Sequence, residues 1–422
     1  MSGNEKQPLV PRLRFPEFYD DQPWIFQPLW KLAQRSTHKN SDGDIVRVLT
    51  NSAEFGVIDQ RDFFDKDIAN QGNLEGYYIV EEGDYVYNPR ISARAPVGPV
   101  SKNRIGLGVM SPLYTVFRFN SPQNDFYAHY FKSTHWYRYM RQASSTGARH
   151  DRMSITNDDF MWLPLPVSKP EEQQKIADCL SSLDALIAAE IQKLGTLKTY
   201  KKGLQQQLFP REGETLPQLR FPEFREAGEW DENTLSDIAA ISSGTTPLRA
   251  NPEFYEGGTI PWVKTTDLNN SFIDSTEECI TPQAKATINP VGSVLVAMYG
   301  GFKQIGRTGY LRIPAATNQA LSVLRVKSDK VLPIYLLTWL NAKVDDWKRI
   351  ASSSRKDPNI TGSDVASFPI LFPLPLEQER IADCLSSFDD LITAQSQKID
   401  TLKTHKKGLM QQLFPVPDEV GA

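Results

Sequence analysis

The chain has 422 residues, 40% of them hydrophobic and 23% charged, with a net charge of −4. That length exceeds one ordinary core and suits two domains of roughly 150 residues plus connecting elements. The composition excludes a disordered tail, and no run approaches the roughly 20 apolar residues of a membrane span.

The polar start, residues 1–8, has no apolar core of a secretory leader, so a cytoplasmic protein is expected. Three cysteines agree with that. Cys179, Cys279 and Cys384 form neither a disulfide framework nor a metal-ligand spacing and are read as packing residues.

Taken in chain order, the first half opens with Leu13-Arg14-Phe15-Pro16-Glu17-Phe18 and Trp24. Strands rich in Val, Ile and Tyr are expected at 45–49, 77–80, 84–88 and 114–119, and an aromatic-rich helix ends at 139–145. Pro170 and Pro210 then bracket one helix of about 38 residues.

The second half repeats this plan. Leu219-Arg220-Phe221-Pro222-Glu223-Phe224 and Trp230 match the leader, strands are expected at 294–298 and 321–326, and 347–353 parallels the aromatic helix. Pro375 and Pro415 bracket a second long helix, and Ile-Ala-Asp-Cys-Leu-Ser-Ser occurs in both, starting at Ile176 and Ile381. The division is a first domain with leader at 1–163, a helix at 164–210, a linker and repeated leader at 211–229, a second domain at 230–370, a helix at 371–415 and a tail at 416–422.

The fold class is therefore α+β: two similar mixed domains separated by a long antiparallel two-helix coiled coil with an internal pseudo-two-fold axis. The helix seams are Ile176, Leu180, Leu183, Ile187, Leu194 and Leu197, and Ile381, Leu385, Phe388, Ile392, Ile399 and Leu402. Both seams break at equivalent polar residues, Glu190 with Gln395 and Lys201 with Lys406. Glu190 and Gln395 are expected near the midpoint as a polar pair that fixes register. The dyad also brings Leu413-Phe414-Pro415 back to Leu13-Arg14-Phe15, making the chain quasi-circular.

Charge is segregated in the same way twice. Residues 90–152 hold ten Lys and Arg against two acids, and 297–356 hold eleven against three, whereas the stretches before them are acidic. Two basic lobes on an acidic chain are the footprint expected for a polyanion, set against the bland reading of solvated surface.

No catalytic constellation is present in the sequence. The segment Gly301-Phe302-Lys303-Gln304-Ile305-Gly306-Arg307-Thr308 imitates a phosphate-binding loop, but such a loop must open a helix, and 309–313 reads as a strand. Asn88-Pro89-Arg90 imitates part of an amino-methyltransferase motif without its second proline or aromatic and is read as a turn.

These residues resemble the specificity subunits of type I restriction-modification enzymes. The likeness is carried by Glu172-Gln173 through Ile176-Ala177 to Leu208-Phe209-Pro210, with its copy Glu377-Gln378 through Ile381-Ala382 to Leu413-Phe414-Pro415. It is carried also by Gly244-Thr245-Thr246-Pro247, Ile260-Pro261-Trp262-Val263 and Thr317-Asn318-Gln319-Ala320; the first domain lacks the Gly-Thr-Thr-Pro element.

The resemblance implies a non-catalytic subunit whose two target-recognition domains each read half of a split double-stranded DNA target. It implies helices that fix the gap and dock two methyltransferase subunits, with motor-nuclease subunits joining that core. No cofactor is expected on this chain; S-adenosylmethionine, ATP and Mg are expected only on partner subunits, and no membrane is involved.

Candidate DNA contacts are Asn88, Arg90, Arg94, Lys102, Arg104, Arg149 and Arg152 in the first domain, and Tyr299, Lys303, Gln304, Arg307, Asn318, Arg355 and Lys356 in the second. Lys193, Lys198, Lys201, Lys398, Lys403 and Lys406 are candidates for methyltransferase docking. The competing readings are a coiled-coil scaffold carrying two ligand-binding domains without DNA, and a nucleotide-dependent enzyme using the 301–308 loop.

Overall fold

In the computed structural model, which describes residues 9–63, 74–144, 151–352 and 359–415, both proline-bracketed segments are continuous helices, Pro170–Leu208 and Pro375–Leu413, of 39 residues each. A proline at the first helical position loses no hydrogen bond, and Glu171, Glu172 and Glu377 in the first turns suit the positive end of the helix dipole. At 1.5 Å per residue each helix extends about 58 Å.

The chain forms two compact units whose boundary falls inside these helices: residues 1–191 with 397–422, and residues 192–396. In the first unit Ile176, Ala177 and Leu180 share a core with Met410, Leu413 and Phe414, packed on Tyr85, Phe117 and Trp136. In the second, Ile381 and Leu385 share a core with Leu208 and Phe209, packed on Tyr335, Trp339 and Trp347. The start of each helix is thus buried beside the end of the other.

Within each unit the helix halves run antiparallel. Asp184 pairs with Lys406 and Glu190 with Lys398 in the first unit, while Lys201 pairs with Asp389 in the second, where the Tyr200 and Phe388 rings lie 5.4 Å apart. Ile176, Leu180, Ile187, Ile381, Leu385 and Ile399 are buried; Leu183, Leu194, Leu197, Phe388, Ile392 and Leu402 are half-buried.

Three of the four polar seam positions, Glu190, Lys201 and Lys406, form ion pairs and are not gaps. Lys406 reaches Asp184 and Lys201 reaches the repeated position Asp389, so these two lysines face the partner helix and not a docking surface. Burial lowers the Lys406 pKa. Burial alone would raise that of Asp184, but the hydrogen bond from Lys406 and the charges of Lys132 and Lys406 hold it below the usual carboxylate range. Glu190 and Gln395 are both buried, and Glu190 accepts a hydrogen bond from Lys398 at 2.6 Å, a partner the seam pattern does not nominate. Lys193, Lys198 and Lys403 are exposed.

The expected return of the chain is present. Leu13 donates its amide to Gln412 at 3.0 Å, and Leu219 donates to Gln207 at 2.8 Å in the other unit. Beside these bonds stand two buried bidentate ion pairs, Arg14 with Glu172 and Arg220 with Glu377, at 2.7 to 2.9 Å. The match is incomplete: the Trp24 indole donates to Glu172 at 3.0 Å, whereas the buried Trp230 indole has no hydrogen-bond partner among the described residues.

Each unit is α+β. The first carries an antiparallel sheet in the order Ala33–Arg35, Thr115–Phe119, Tyr85–Tyr87, Val100–Lys102. The second carries Ala239–Ser243, Leu321–Val326, Val294–Ala297, Thr308–Leu311 and Ser271–Ile273, the last pair parallel. Every residue of Val294–Ala297 is buried, as a central strand covered on both faces requires.

The strand expected at 45–49 is displaced, since the ladder is Leu49–Ser52 against Gly56–Asp59. The apolar run before it makes only an isolated bridge from Val48 to Val109. The imitation phosphate loop leads into the strand Thr308–Leu311 and not into a helix, as its context predicts.

Candidate nucleic-acid interface

The same hairpin stands in both units. Tyr85–Tyr87 pairs with Val100–Lys102 through the loop 88–99, and Val294–Ala297 pairs with Thr308–Leu311 through the loop 298–307. An equivalent hydrogen bond ties down each loop: Met153 donates to the Pro89 carbonyl at 2.8 Å, and Ile360 to the Met298 carbonyl at 3.0 Å. The tying segments lead into short helices capped by Thr156 and Thr361, whose hydroxyls accept from the amides of Asp159 and Asp364. A Thr followed three residues on by an acid is the sequence signature of such a start.

In the first unit the loop brings together Arg90, Arg94 and Arg152. Ile91 donates to the Asp151 carbonyl at 3.0 Å, and Arg90 bridges Arg152 through the backbone. Gly98 closes the loop with a φ of 82°, and a Cβ there would lie 2.1 Å from the Asn88 carbonyl oxygen, so only glycine fits.

Asn88, expected as a base reader, is engaged inside the protein. Its amide donates to the Asn51 carbonyl at 2.9 Å and its side-chain oxygen accepts from the Arg90 amide at 3.0 Å. Arg94 is ion-paired with Glu54 on the neighbouring hairpin tip. Lys102 and Arg104 both reach Asp125, at 2.9 and 2.6 Å. Burial would raise the Asp125 pKa, but the Lys102 hydrogen bond and the Arg104 charge hold it low. These three cations, candidates for DNA contact in the sequence, therefore carry internal counterions. They line one cleft of about 890 Å³ together with Phe55, Lys132 and Trp136.

The cleft ends on the helix at a cluster the sequence does not reveal. His129 is buried, its Nε2 lies 2.9 Å from the Ser181 hydroxyl, and Asp184 is 3.9 Å from its Nδ1. Burial first, then the charges of Lys132 and Lys406, push its pKa down to about 4, so it is neutral at physiological pH.

In the second unit Gln304 donates to the Gly301 carbonyl at 2.9 Å, a turn that puts Phe302 and Lys303 at the loop tip. The loop base is fixed by Gly306, whose φ is 74° and whose added Cβ would lie 2.8 Å from the Trp347 Cβ. Trp347 in turn stacks on Phe368 with ring centroids 3.7 Å apart.

Further bonds bring other loops to the same end. Met298 donates to Ala320 at 2.9 Å, Asn318 to Val263 at 2.9 Å, and Thr245 to Thr317 at 2.9 Å. Tyr299, Lys303, Gln304 and Asn318 are thereby gathered, with Arg307 at the loop base. The side-chain oxygen of Asn318 is buried with no hydrogen-bond partner among the described residues.

Thr246 and Gln319, both exposed and joined by a 3.3 Å bond from the Gln319 amide to the Thr246 hydroxyl, belong to this group. The only sequence signal for them was their place in Gly244-Thr245-Thr246-Pro247 and Thr317-Asn318-Gln319-Ala320. Arg149, Arg355 and Lys356 lie outside the described residues.

Among the described residues no group of three or more His, Cys, Asp and Glu is placed to hold a metal, and no helix is long and apolar enough to cross a membrane.

Comparison with known proteins fits this geometry. A family model described as the type I restriction modification DNA specificity domain matches residues 65–199 and 227–404. The specificity subunit of the type I restriction enzyme EcoR124I/EcoR124II of Escherichia coli is 26% identical over 57% of this chain and 59% of its own length. The type I restriction enzyme MjaIX specificity subunit of Methanocaldococcus jannaschii is 30% identical over 44% of each. The chain thus spans about half the length of these relatives.

Two solved structures share the fold. The S subunit of a type I restriction-modification system from M. genitalium aligns with a TM-score of 0.55 at 14% identity, covering 96% of this chain and 99% of that one. A chain from a study of complex assembly and conformational transition in a type I restriction-modification system aligns at 0.60 and 17%, covering 93% and 97%. With one matched stretch in each half, together most of its length, the chain belongs to the type I restriction-modification specificity subunits.

Proposed function

We propose that the chain is the DNA-reading, non-catalytic subunit of a type I restriction-modification complex. Each domain takes one half of a split double-stranded target, and the helices fix the gap and dock two methyltransferase subunits, to which motor-nuclease subunits add. S-adenosylmethionine, ATP and Mg belong on those partners. The observation that carries this reading is the repeated hairpin. Its backbone ties are the same in both units, while its side chains differ completely, Arg90 and Arg94 against Tyr299, Phe302, Lys303 and Gln304. A common frame with different side chains suits two readers of different sequences, whereas the Asp184–Lys406 ion pair of the helices recurs as Asp389–Lys201.

In this reading Arg90, Arg152, Lys303 and Arg307 contact phosphates or guanine, and Gln304, Gln319 and Asn318 suit adenine edges. The test is a mobility shift with random duplex DNA, on the chain alone and with its co-purified methyltransferase, followed by sequencing of methylated adenines. A split methylated motif is expected. A folded complex that neither shifts duplex DNA nor methylates a split motif would favour the scaffold reading. Inserting one heptad in a long helix is expected to change the gap and leave both half-sites unaltered.

A further inference from the structure

Among the described residues each unit holds one exposed phenylalanine, and it stands on a hydrogen-bonded turn at the tip of the candidate DNA-facing loops, although the two are at unrelated sequence positions. In the second unit Phe302 is 51% exposed and sits with Lys303 at the centre of the Gly301–Gln304 turn. That turn is held from below: Ile305 is buried and donates to Gly301 at 3.1 Å, Gly306 donates to Ala297 at 3.0 Å, and Trp347 closes the base.

In the first unit Phe55 is 63% exposed at the tip of the Leu49–Ser52 and Gly56–Asp59 hairpin. The Ser52 hydroxyl accepts from the amides of Glu54 and Phe55 at 3.2 and 3.4 Å, and Gly56 turns the chain with a φ of 70°. The Glu54 to Arg94 ion pair fastens this tip to the 88–99 loop. Phe55 thus borders the cleft lined by Arg94, Lys102 and Arg104.

Neither ring is packed into a core, and each stands beside cations. A phenyl ring held out on a fixed turn has no polar use. Beside a cationic surface facing duplex DNA, its fit is to the apolar faces of bases, as a wedge between stacked pairs. We infer that Phe302 and Phe55 are the apolar contacts by which the two domains grip a base step, one in each half-site. This rests on the DNA-reading function proposed above and adds to it a pair of specificity-determining residues that carry no charge or hydrogen bond.

The experiment uses the intact complex with its methyltransferase and duplexes carrying 2-aminopurine at successive positions of each half-site. Wild-type complex is expected to raise fluorescence at one step in each half. F302A should abolish the rise in one half only and F55A in the other, each with roughly tenfold weaker binding, about 1.4 kcal/mol. F302W and F55W, which keep an aromatic ring, should retain the signal.

Wild type that binds its split target with no fluorescence change in either half, or alanine variants indistinguishable from wild type, overturns the inference and leaves the DNA-reading function standing. An alanine variant that loses its methyltransferase subunit while the remaining DNA contacts are unchanged makes the ring a protein contact and also overturns it. Failure of wild type to select any duplex sequence removes both proposals together.

Discussion

Glu172 and Glu377 offer a paired experiment, because the molecule contains the same bidentate Arg–Glu ion pair twice and Glu172 accepts one hydrogen bond that Glu377 lacks. Glu172 accepts two bonds from Arg14 and one from the Trp24 indole, and its side chain is 0% exposed. Glu377 accepts two from Arg220, at 1% exposure, while Trp230 makes no such bond. Removing one partner of a buried pair strands the other charge, at about 3 to 5 kcal/mol, so both E172A and E377A are expected to be severe. The extra indole bond adds about 1 kcal/mol to the cost of E172A, because its loss also strands a buried donor.

Two compact units rule out a single unfolding transition as the measure. Hydrogen exchange followed by mass spectrometry, read on peptides of the leader and helix start in each unit, reports them separately. The 3 to 5 kcal/mol correspond to a fall in protection of roughly 10² to 5 × 10³, and E172A should exceed E377A by about fivefold. W24F should cost about 1 kcal/mol, and W230F should cost less. Equal losses for the two alanine variants, or W230F costing as much as W24F, would refute the reasoning.

Three further outcomes follow from the same contacts. His129 has its pKa pushed down to about 4 by burial, so the unfolded chain binds the extra proton first; its contribution is intact above pH 6.5 and lost as pH falls from there to about 4. H129Q should therefore flatten the acid dependence of first-unit exchange protection by up to about 3 kcal/mol, and an unchanged pH profile would contradict the burial. G306A places a Cβ against Trp347 at positive φ and should cost about 1 to 3 kcal/mol, read as lower exchange protection of the second unit together with damage confined to one half-site of the methylated motif. D125N releases Lys102 and Arg104 and should steepen the salt dependence of DNA binding by up to about two in the log–log slope; an unaltered slope would show that neither cation reaches phosphate.

How much of this the sequence discloses depends on how far apart the partners lie. The heptads place Ile176, Leu180, Ile381 and Leu385 in a seam because periodicity is local, and Thr156 with Asp159 announces a helix start within four residues. Lys201 and Lys406 look like interruptions of that seam, because their partners Asp389 and Asp184 sit on the other helix. Arg94 and Arg104 look free for the same reason: Glu54 lies 40 residues before Arg94, and Asp125 lies 21 after Arg104. The strand expected at 45–49 failed on a different ground. Its apolar residues meet Val109 through a single parallel bridge, and a ladder needs a partner in register, which hydrophobicity alone does not report. Thr246 and Gln319 were missed because their significance lies in the crossing of two loops 73 residues apart.

The ion pairs of the long helices have a consequence for how such a chain can be rebuilt. Asp184 meets Lys406, and Asp389 meets Lys201, each acid and each lysine standing at the repeated position of its counterpart. A helix taken from either half therefore presents the same acid and the same base to its partner. Since the unit boundary falls within the helices, a genetic crossover inside the repeated segment leaves both pairs intact whichever copy supplies the residues. The domains become exchangeable cassettes on a constant frame: the sequence between the repeats is open to wholesale replacement, while the Asp–Lys pairs between the helices are kept.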